Sequence, residues 1–491
     1  MRDKKIKWEG CFTSMRTICL IFILALQITG SQAQSFQQFI DYLNSLPEDQ
    51  RQAKADSFMN AGHAFPYIET DTLVAFVYQG NGQTVAVAGD ATAWNPNMNL
   101  EQITGTDFWY HQTDYEADAR LDYKFVKNGA TWLLDPLNPW TCTGGYGPNS
   151  ELRMPACSIP PEIAYYPAIP HGTLHDTLFH STNLGNSRTV KIYLPAGYDT
   201  TTKDYPVILF HDGLEFITLG EAPKILDYLI AHQEIVPVIA IFVPPVNRTQ
   251  EYAGSQKEPF RKFIIEELMP VYDAKYRIET APRKRAMIGA SNGGNISLYI
   301  SMKNPESFGR IAAQSSNVQT EISNTFQGSD KLDLELYLDI GKYDIPTLIP
   351  LVANLVTILE AKEYDFQHFI FNEGHSYCNW RDHLRLPLVQ FFPFNTGIRE
   401  DHGQLDFKLN QNYPNPFRDQ TTIPFSLTPG TEARLVLQTM SGQHLETLIS
   451  GRFDQPKQDF VFNSKNYPTG SYHYTLIVQG ASQSKTLTII R

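Results

Sequence analysis

An α/β domain set between two all-β regions is the fold class that the sequence predicts, and three observations predict it. Residues 175–395 alternate short apolar runs with stretches of helical spacing. The segments on either side carry strand-like runs broken by turn signals about every ten residues, the pattern of antiparallel β structure. The chain has 491 residues, more than one ordinary domain needs and enough for about three. With 42% hydrophobic and 19% charged residues, the composition is that of a globular protein. A formal charge of −12 leaves no basic footprint for a nucleic acid.

The first 33 residues read as a signal peptide. Arg2, Lys4, Lys5, Lys7 and Arg16 precede an apolar run over 18–28, and Ser31-Gln32-Ala33 offers small residues for cleavage. The run is too short to span a bilayer as a helix. Residues 34–62 follow with Phe36, Phe39, Ile40, Leu43 and Leu46 at helical spacing, which predicts a leader helix packed on the next domain. Residues 63–157 read as a β-sandwich. Runs at 73–78, 85–89, 108–110 and 121–126 supply strands, and Gly80-Asn81-Gly82 and Asn128-Gly129 supply turns. Pro160, Pro161, Pro167 and Pro170 mark 158–174 as a linker.

Within 175–395, strands are predicted at 190–194, 206–210, 238–243, 286–288, 334–340 and 366–371. The all-apolar run at 238–243 is that of a parallel strand covered on both faces. Residues 396–407 are polar and read as a linker, and 408–491 return to β structure. Of five cysteines, Cys11 and Cys19 leave with the signal. Cys142 and Cys157 are close enough in sequence to close a 16-residue loop, against the alternative of buried free thiols. No Cys/His spacing resembles a zinc site.

The chemistry is concentrated at Gly289-Ala290-Ser291-Asn292-Gly293, between the strand ending at 288 and a helix marked by Ile296, Tyr299 and Ile300. Strand, sharp turn and helix form the context of a nucleophile elbow, which exposes a serine hydroxyl at its tip. A serine needs a base, a group that orients the base, and donors for the oxyanion. Chain order in such hydrolases is serine, acid, histidine. Asp344 stands in the loop after a predicted strand, and His375 in the loop after the next. Ser291, Asp344 and His375 are therefore the candidate triad, with Asp339, inside the strand, as the rival acid. Asn292, the residue after the nucleophile, and Gly213 or Leu214, in the loop after the 206–210 strand, are the candidate oxyanion donors. His211 and Asp212 are read as shaping that loop, and His368 and His383 as structural. The mechanism requires no metal or cofactor.

The segments Leu209-Phe210-His211-Asp212-Gly213, Arg248-Thr249-Gln250-Glu251-Tyr252, Gly289-Ala290-Ser291-Asn292-Gly293-Gly294 and Gly374-His375-Ser376, with Trp380-Arg381, resemble the esterase D / enterochelin esterase family. The resemblance implies an α/β-hydrolase domain over 175–395, with Ser291 as nucleophile and His375 as base; the acid varies in the family. It makes Arg248, Glu251 and Trp380 candidate substrate contacts, an internal ion pair being the alternative for Arg248 and Glu251. Val87-Ala88-Gly89-Asp90 with Trp94, Gly105-Thr106-Asp107-Phe108-Trp109, Tyr123-Lys124-Phe125 and Asp135-Pro136-Leu137-Asn138-Pro139 resemble the early-set immunoglobulin-like module of the same family. Trp94 and Trp109 are read as core before sugar platforms. Asn412-Tyr413-Pro414-Asn415-Pro416-Phe417 and Tyr467-Pro468-Thr469-Gly470 resemble a C-terminal sorting domain of type IX secretion, a second β-sandwich.

Together these features imply an exported serine esterase, a partner in the type IX machinery, and ester substrates such as feruloyl or acetyl groups on polysaccharide. An enterochelin-type siderophore trilactone esterase or acyltransferase is the alternative within enzymes. A non-catalytic carbohydrate-binding surface protein is the alternative outside them.

Overall fold

Apolar runs without alternation require cover on both faces, and the central sheet has it. The computed structural model describes residues 35–145, 147–394, 407–439, 444–478 and 481–490. The signal segment, and all but the last residue of the linker expected at 396–407, lie outside them. In space the central strands run Thr173–Ser181, Asn186–Leu194, Ile239–Val243, Val207–His211, Arg285–Ala290, Arg310–Gln314, Glu335–Tyr343 and Asp365–Gly374. The first three pair antiparallel. From Ile239–Val243 to Asp365–Gly374 every pairing is parallel.

Successive side chains serve opposite faces, as strand geometry requires. Leu209, Ile241, Met287 and Leu338 pack with Tyr252, Phe260, Ile296 and Leu355 on one face. Ile208, Phe210, Ile288 and Tyr337 pack with Phe216, Leu226, Leu229 and Leu388 on the other. The chain leaves Val207–His211 for a neighbour on one side and returns to Arg285–Ala290 on its other side. That reversal opens a crevice at the carboxyl ends of these two strands, where ligands of open α/β sheets bind.

Ahead of this domain two sheets share a core. Val74, Phe76 and Trp109 of one pack on Val87, Tyr123 and Phe125 of the other. Trp109 lies in this core with its indole N–H donated to the Gly80 carbonyl (3.0 Å). The leader is two helices where the sequence predicted one, Phe36–Ser45 and Glu48–Met59. Pro47 separates them: it lacks an N–H and forces Leu46 into extended backbone. Phe36, Ile40 and Leu43 pack on Ala75, Val77 and Phe108. The C-terminal region has a four-stranded and a three-stranded antiparallel sheet around Leu435, Tyr474, Leu476, Ile423 and Phe425.

The sheet does not end where the α/β domain ends. Glu373 pairs with Arg120, so the module strand Arg120–Lys127 continues the sheet past Asp365–Gly374. A disulfide reinforces this junction, and it corrects the sequence reading. Cys142 bonds to Cys378 and not to Cys157, which is free. Proximity in sequence suggested the wrong partner; the fold brings together cysteines 236 positions apart. Closing so long a loop stabilises by roughly 2–5 kcal/mol. Cys142→Ser/Cys378→Ser is therefore expected to unfold at lower denaturant concentration than wild type. Tryptophan fluorescence across a urea series checks this, and an unchanged midpoint would contradict it.

Candidate active site

The Ser291 turn is shaped by backbone contact. Ser291 has φ 57° and ψ −120° and caps the helix Asn292–Lys303. A non-glycine residue held there costs roughly 1–3 kcal/mol and persists only where its surroundings fix it. The Ser291 N–H donates to the Gln314 carbonyl (2.8 Å), and its carbonyl accepts from Asn295 (3.1 Å) and Asn317 (3.1 Å). Gly289 is obligatory, because a Cβ there would stand 2.3 Å from the Gly293 carbonyl. Beside the turn, a depression of about 450 Å³ is lined by Lys257, Asn317, Gln319, Thr320 and Leu351 among others.

The loop after Val207–His211 lies against the same turn. A Cβ on Gly293 would stand 3.0 Å from Asp212 Oδ2 and 3.5 Å from His211 Cβ. Gly213 and Leu214 open the helix Gly213–Thr218, as Asn292 opens its own. The first N–H groups of a helix have no acceptor within it, so these three candidate donors carry N–H groups without an intrahelical acceptor. Asp212 is not among them, because its N–H donates to Tyr252 Oη (2.9 Å).

Asp344 and His375 come together. His375 Nδ1 lies 2.7 Å from Asp344 Oδ1, and the same oxygen accepts from the Ile345 N–H (2.7 Å). The Asp344 carboxylate is fully buried. Asp339 faces elsewhere. It accepts from Gln314 Nε2 (3.1 Å) and the Ser315 N–H (3.0 Å), and burial pushes its carboxyl up to about 6. Ser291 Oγ makes no hydrogen bond among the described residues, so the structure does not join serine to histidine directly. What links them is Gln314-Ser315. Gln314 accepts from the Ser291 N–H, and Ser315 Oγ accepts from Trp380 Nε1 (3.0 Å). The Trp380 ring in turn meets His375 edge-on at 5.0 Å. Catalytic hydrogen bonds of this kind often close only around a substrate.

Two expected substrate contacts are corrected. Glu251 is wholly buried in a two-pronged pair with Arg188 (2.8 and 3.0 Å) and has no surface to offer. Trp380 is also buried, and its indole N–H is already bonded to Ser315. It supports the imidazole and lines no open surface. Arg248 remains partly exposed. It grips Asp212 through two hydrogen bonds (2.8 and 2.7 Å) and donates to the Ala290 carbonyl (3.2 Å), tying the loop after Val207–His211 to the elbow. His211 and Asp212 form no catalytic pair. Neither ring nitrogen of His211 has a hydrogen-bond partner among the described residues, and burial pushes its pKa down to about 3. His383 pairs with Glu373 (2.8 Å) and stacks on Phe371. The sequence gives no signal for Gln314 and Ser315, because Gln314 ends the strand Arg310–Gln314, which carries no motif of its own, and Ser315 is the turn residue after it.

Residues 181–384 match the family described as Putative esterase. The chain carries a carboxylic ester hydrolase domain of the α/β-hydrolase fold. Similarity extends to an uncharacterised Bacillus subtilis protein, YjcH, 29% identical over 226 residues, covering 43% of this chain and 94% of that protein. An endo-1,4-beta-xylanase/feruloyl esterase of Xylanibacter ruminicola is 32% identical over 158 residues, covering 30% of this chain and 22% of that longer protein. The crystal structure of the enterobactin esterase from Shigella flexneri superposes with a TM-score of 0.59 at 21% identity, covering 68% of this chain and 97% of that one. That likeness concerns the fold. The esterase domain thus sets its Ser291 turn, its imidazole–carboxylate pair and two helix N-termini at the carboxyl ends of its parallel strands.

Proposed function

We propose that this chain is an exported serine esterase that removes acyl groups, feruloyl or acetyl, from ester-decorated polysaccharide. The observation that carries the reading is the 2.7 Å contact of His375 Nδ1 with the buried Asp344 carboxylate, at the same carboxyl edge of the sheet as Ser291, which is held at positive φ. In this reading His375 Nε2 takes the Ser291 proton as Oγ attacks the ester carbonyl. Asp344 holds Nδ1–H and stabilises the imidazolium. Asn292 N–H, with that of Gly213 or Leu214, receives the oxyanion. The alcohol leaves with the proton from His375, and water then hydrolyses the acyl-enzyme by the same steps in reverse.

The feruloyl esterase relative supports the polysaccharide assignment. Export is supported by the basic and apolar leader and by a formed disulfide, which belongs to oxidising compartments. The N-terminal module is read as early-set immunoglobulin-like and the C-terminal region as a type IX sorting sandwich, on the motifs quoted above. The enterobactin esterase fold, which spans most of that chain, favours a second reading as a siderophore trilactone esterase. A substrate panel ranks the two. Ferulate or acetate release from arabinoxylan is expected to exceed opening of a catecholate trilactone at least tenfold in kcat/KM. The opposite order would move the assignment to the siderophore.

A further inference from the structure

The loop that presents His375 is held mainly from outside the esterase domain. Arg120, on the module strand Arg120–Lys127, is completely buried. Its Nε donates to Glu151 (2.7 Å), one Nη to Asp122 (2.8 Å), and the other to Ser376 Oγ (3.1 Å). Ser376 directly follows His375 and caps the helix Tyr377–Asp382. On the other side of His375, Gly374 lies against the buried Asp90 carboxylate of the module. A Cβ at Gly374 would stand 2.0 Å from Asp90 Cγ. Asp90 is held there by the Asp122 N–H (2.8 Å) and Trp94 Nε1 (3.2 Å). Glu373 pairs with Arg120 through the backbone, and Cys378 is bonded to Cys142 of the module. Residues on both sides of the imidazole are thus fixed to the module.

The acid loop is gripped in the same way. Glu116 of the module takes hydrogen bonds from Lys342 and from Tyr343 Oη (2.8 Å), and Tyr115 meets the Tyr343 ring edge-on at 6.0 Å. Lys342 and Tyr343 lead directly into Asp344. One body, the module, therefore contacts the loops of both members of the imidazole–carboxylate pair, whereas the elbow is built from the strand Arg285–Ala290 and the helix Asn292–Lys303. The family match, residues 181–384, does not include this body.

We propose that the N-terminal module is part of the catalytic apparatus and that Arg120 is its positioning residue, acting through Ser376 to set the His375 imidazole against Ser291. The inference rests on the reading of His375 as the base. Displacing a catalytic group by about 1 Å costs on the order of 100-fold in rate, and loss of the Arg120–Ser376 bond acts at that scale.

Arg120→Met would leave the buried Asp122 without a counter-charge and Glu151 with Arg153 alone, and is expected to destabilise the module. The test therefore uses Arg120→Lys and Ser376→Ala in the full chain, with a nitrophenyl ester as substrate. Active sites are counted by exhaustive titration with a fluorophosphonate, and folding is checked by near-UV circular dichroism. Each single variant is expected to lose about 10- to 100-fold in kcat per titrated site with KM unchanged within about twofold. The double variant is expected to be no worse than the poorer single, because both remove one contact. Wild-type kcat per titrated site in a folded variant would overturn the proposal. So would losses that multiply in the double variant. Should Arg120→Lys not fold, Ser376→Ala alone decides by the same criterion. Turnover retained in Ser291→Ala would instead overturn the serine mechanism itself, whatever the Arg120 variants do.

Discussion

Ser291→Ala is expected to lower kcat on a nitrophenyl ester by at least about 10⁴-fold while leaving the fold intact. The hydroxyl is the only group at the tip of the elbow that can form the acyl-enzyme, so its removal ends covalent catalysis. The turn itself does not depend on it. The backbone of Ser291 is fixed by Gln314, Asn295 and Asn317, all through main-chain groups of residue 291, and Oγ makes no hydrogen bond among the described residues. Alanine therefore leaves no buried partner stranded, and positive φ costs it about what it costs serine. If Asn292 and Gly213 form the proposed oxyanion site, residual turnover would come from their N–H groups, which would still polarise a bound carbonyl. Stopped-flow release of nitrophenolate checks this: wild type should show a burst equal to the enzyme concentration, and the variant none. A burst that survives would place the nucleophile elsewhere and end the serine esterase reading.

Which parts of this site can be read from the sequence follows from how local each constraint is. The Ser291 turn is legible because its steric demand falls on residues two positions away: Gly289 and Gly293 touch each other across it. The strand order of acid and base is legible because strand periodicity and chain order are both written along the chain. Glu251 is not, because its partner Arg188 lies 63 positions earlier and nothing near either residue announces the pair. The disulfide fails for the same reason, and there the short-range alternative Cys157 misleads. The module's grip on the His375 loop is the least legible of all. Arg120 and Ser376 are 256 positions apart, and a buried arginine on a strand looks like any polar residue of an alternating pattern. The choice of Asp344 over Asp339 is legible by contrast, because Asp344 directly follows the strand Glu335–Tyr343 while Asp339 lies inside it, bonded to Gln314 and Ser315.

That choice carries the second large prediction. Asp344→Asn is expected to lower kcat about 10⁴-fold, whereas Asp339→Asn should stay within about tenfold of wild type. Asp344 Oδ1 accepts from both His375 Nδ1 and the Ile345 N–H, so the carboxylate fixes the tautomer that leaves Nε2 free to take a proton. An asparagine can keep the shape but not the charge that stabilises the imidazolium. If it turns its amide N–H toward Nδ1, the ring adopts the wrong tautomer and cannot act as a base at all. Asp339 has no such role. Its carboxylate accepts from Gln314 and Ser315, the residues that join the Ser291 strand to Trp380, and an amide oxygen can accept there too. Its replacement should appear in the melting temperature more than in the rate, since a buried amide brings two donors to a site built for an acceptor. Steady-state kcat of the two variants, measured beside their thermal melts, separates the roles. A rate that collapses in Asp339→Asn and survives in Asp344→Asn would transfer the acid to the strand and leave the His375–Asp344 pair a structural one.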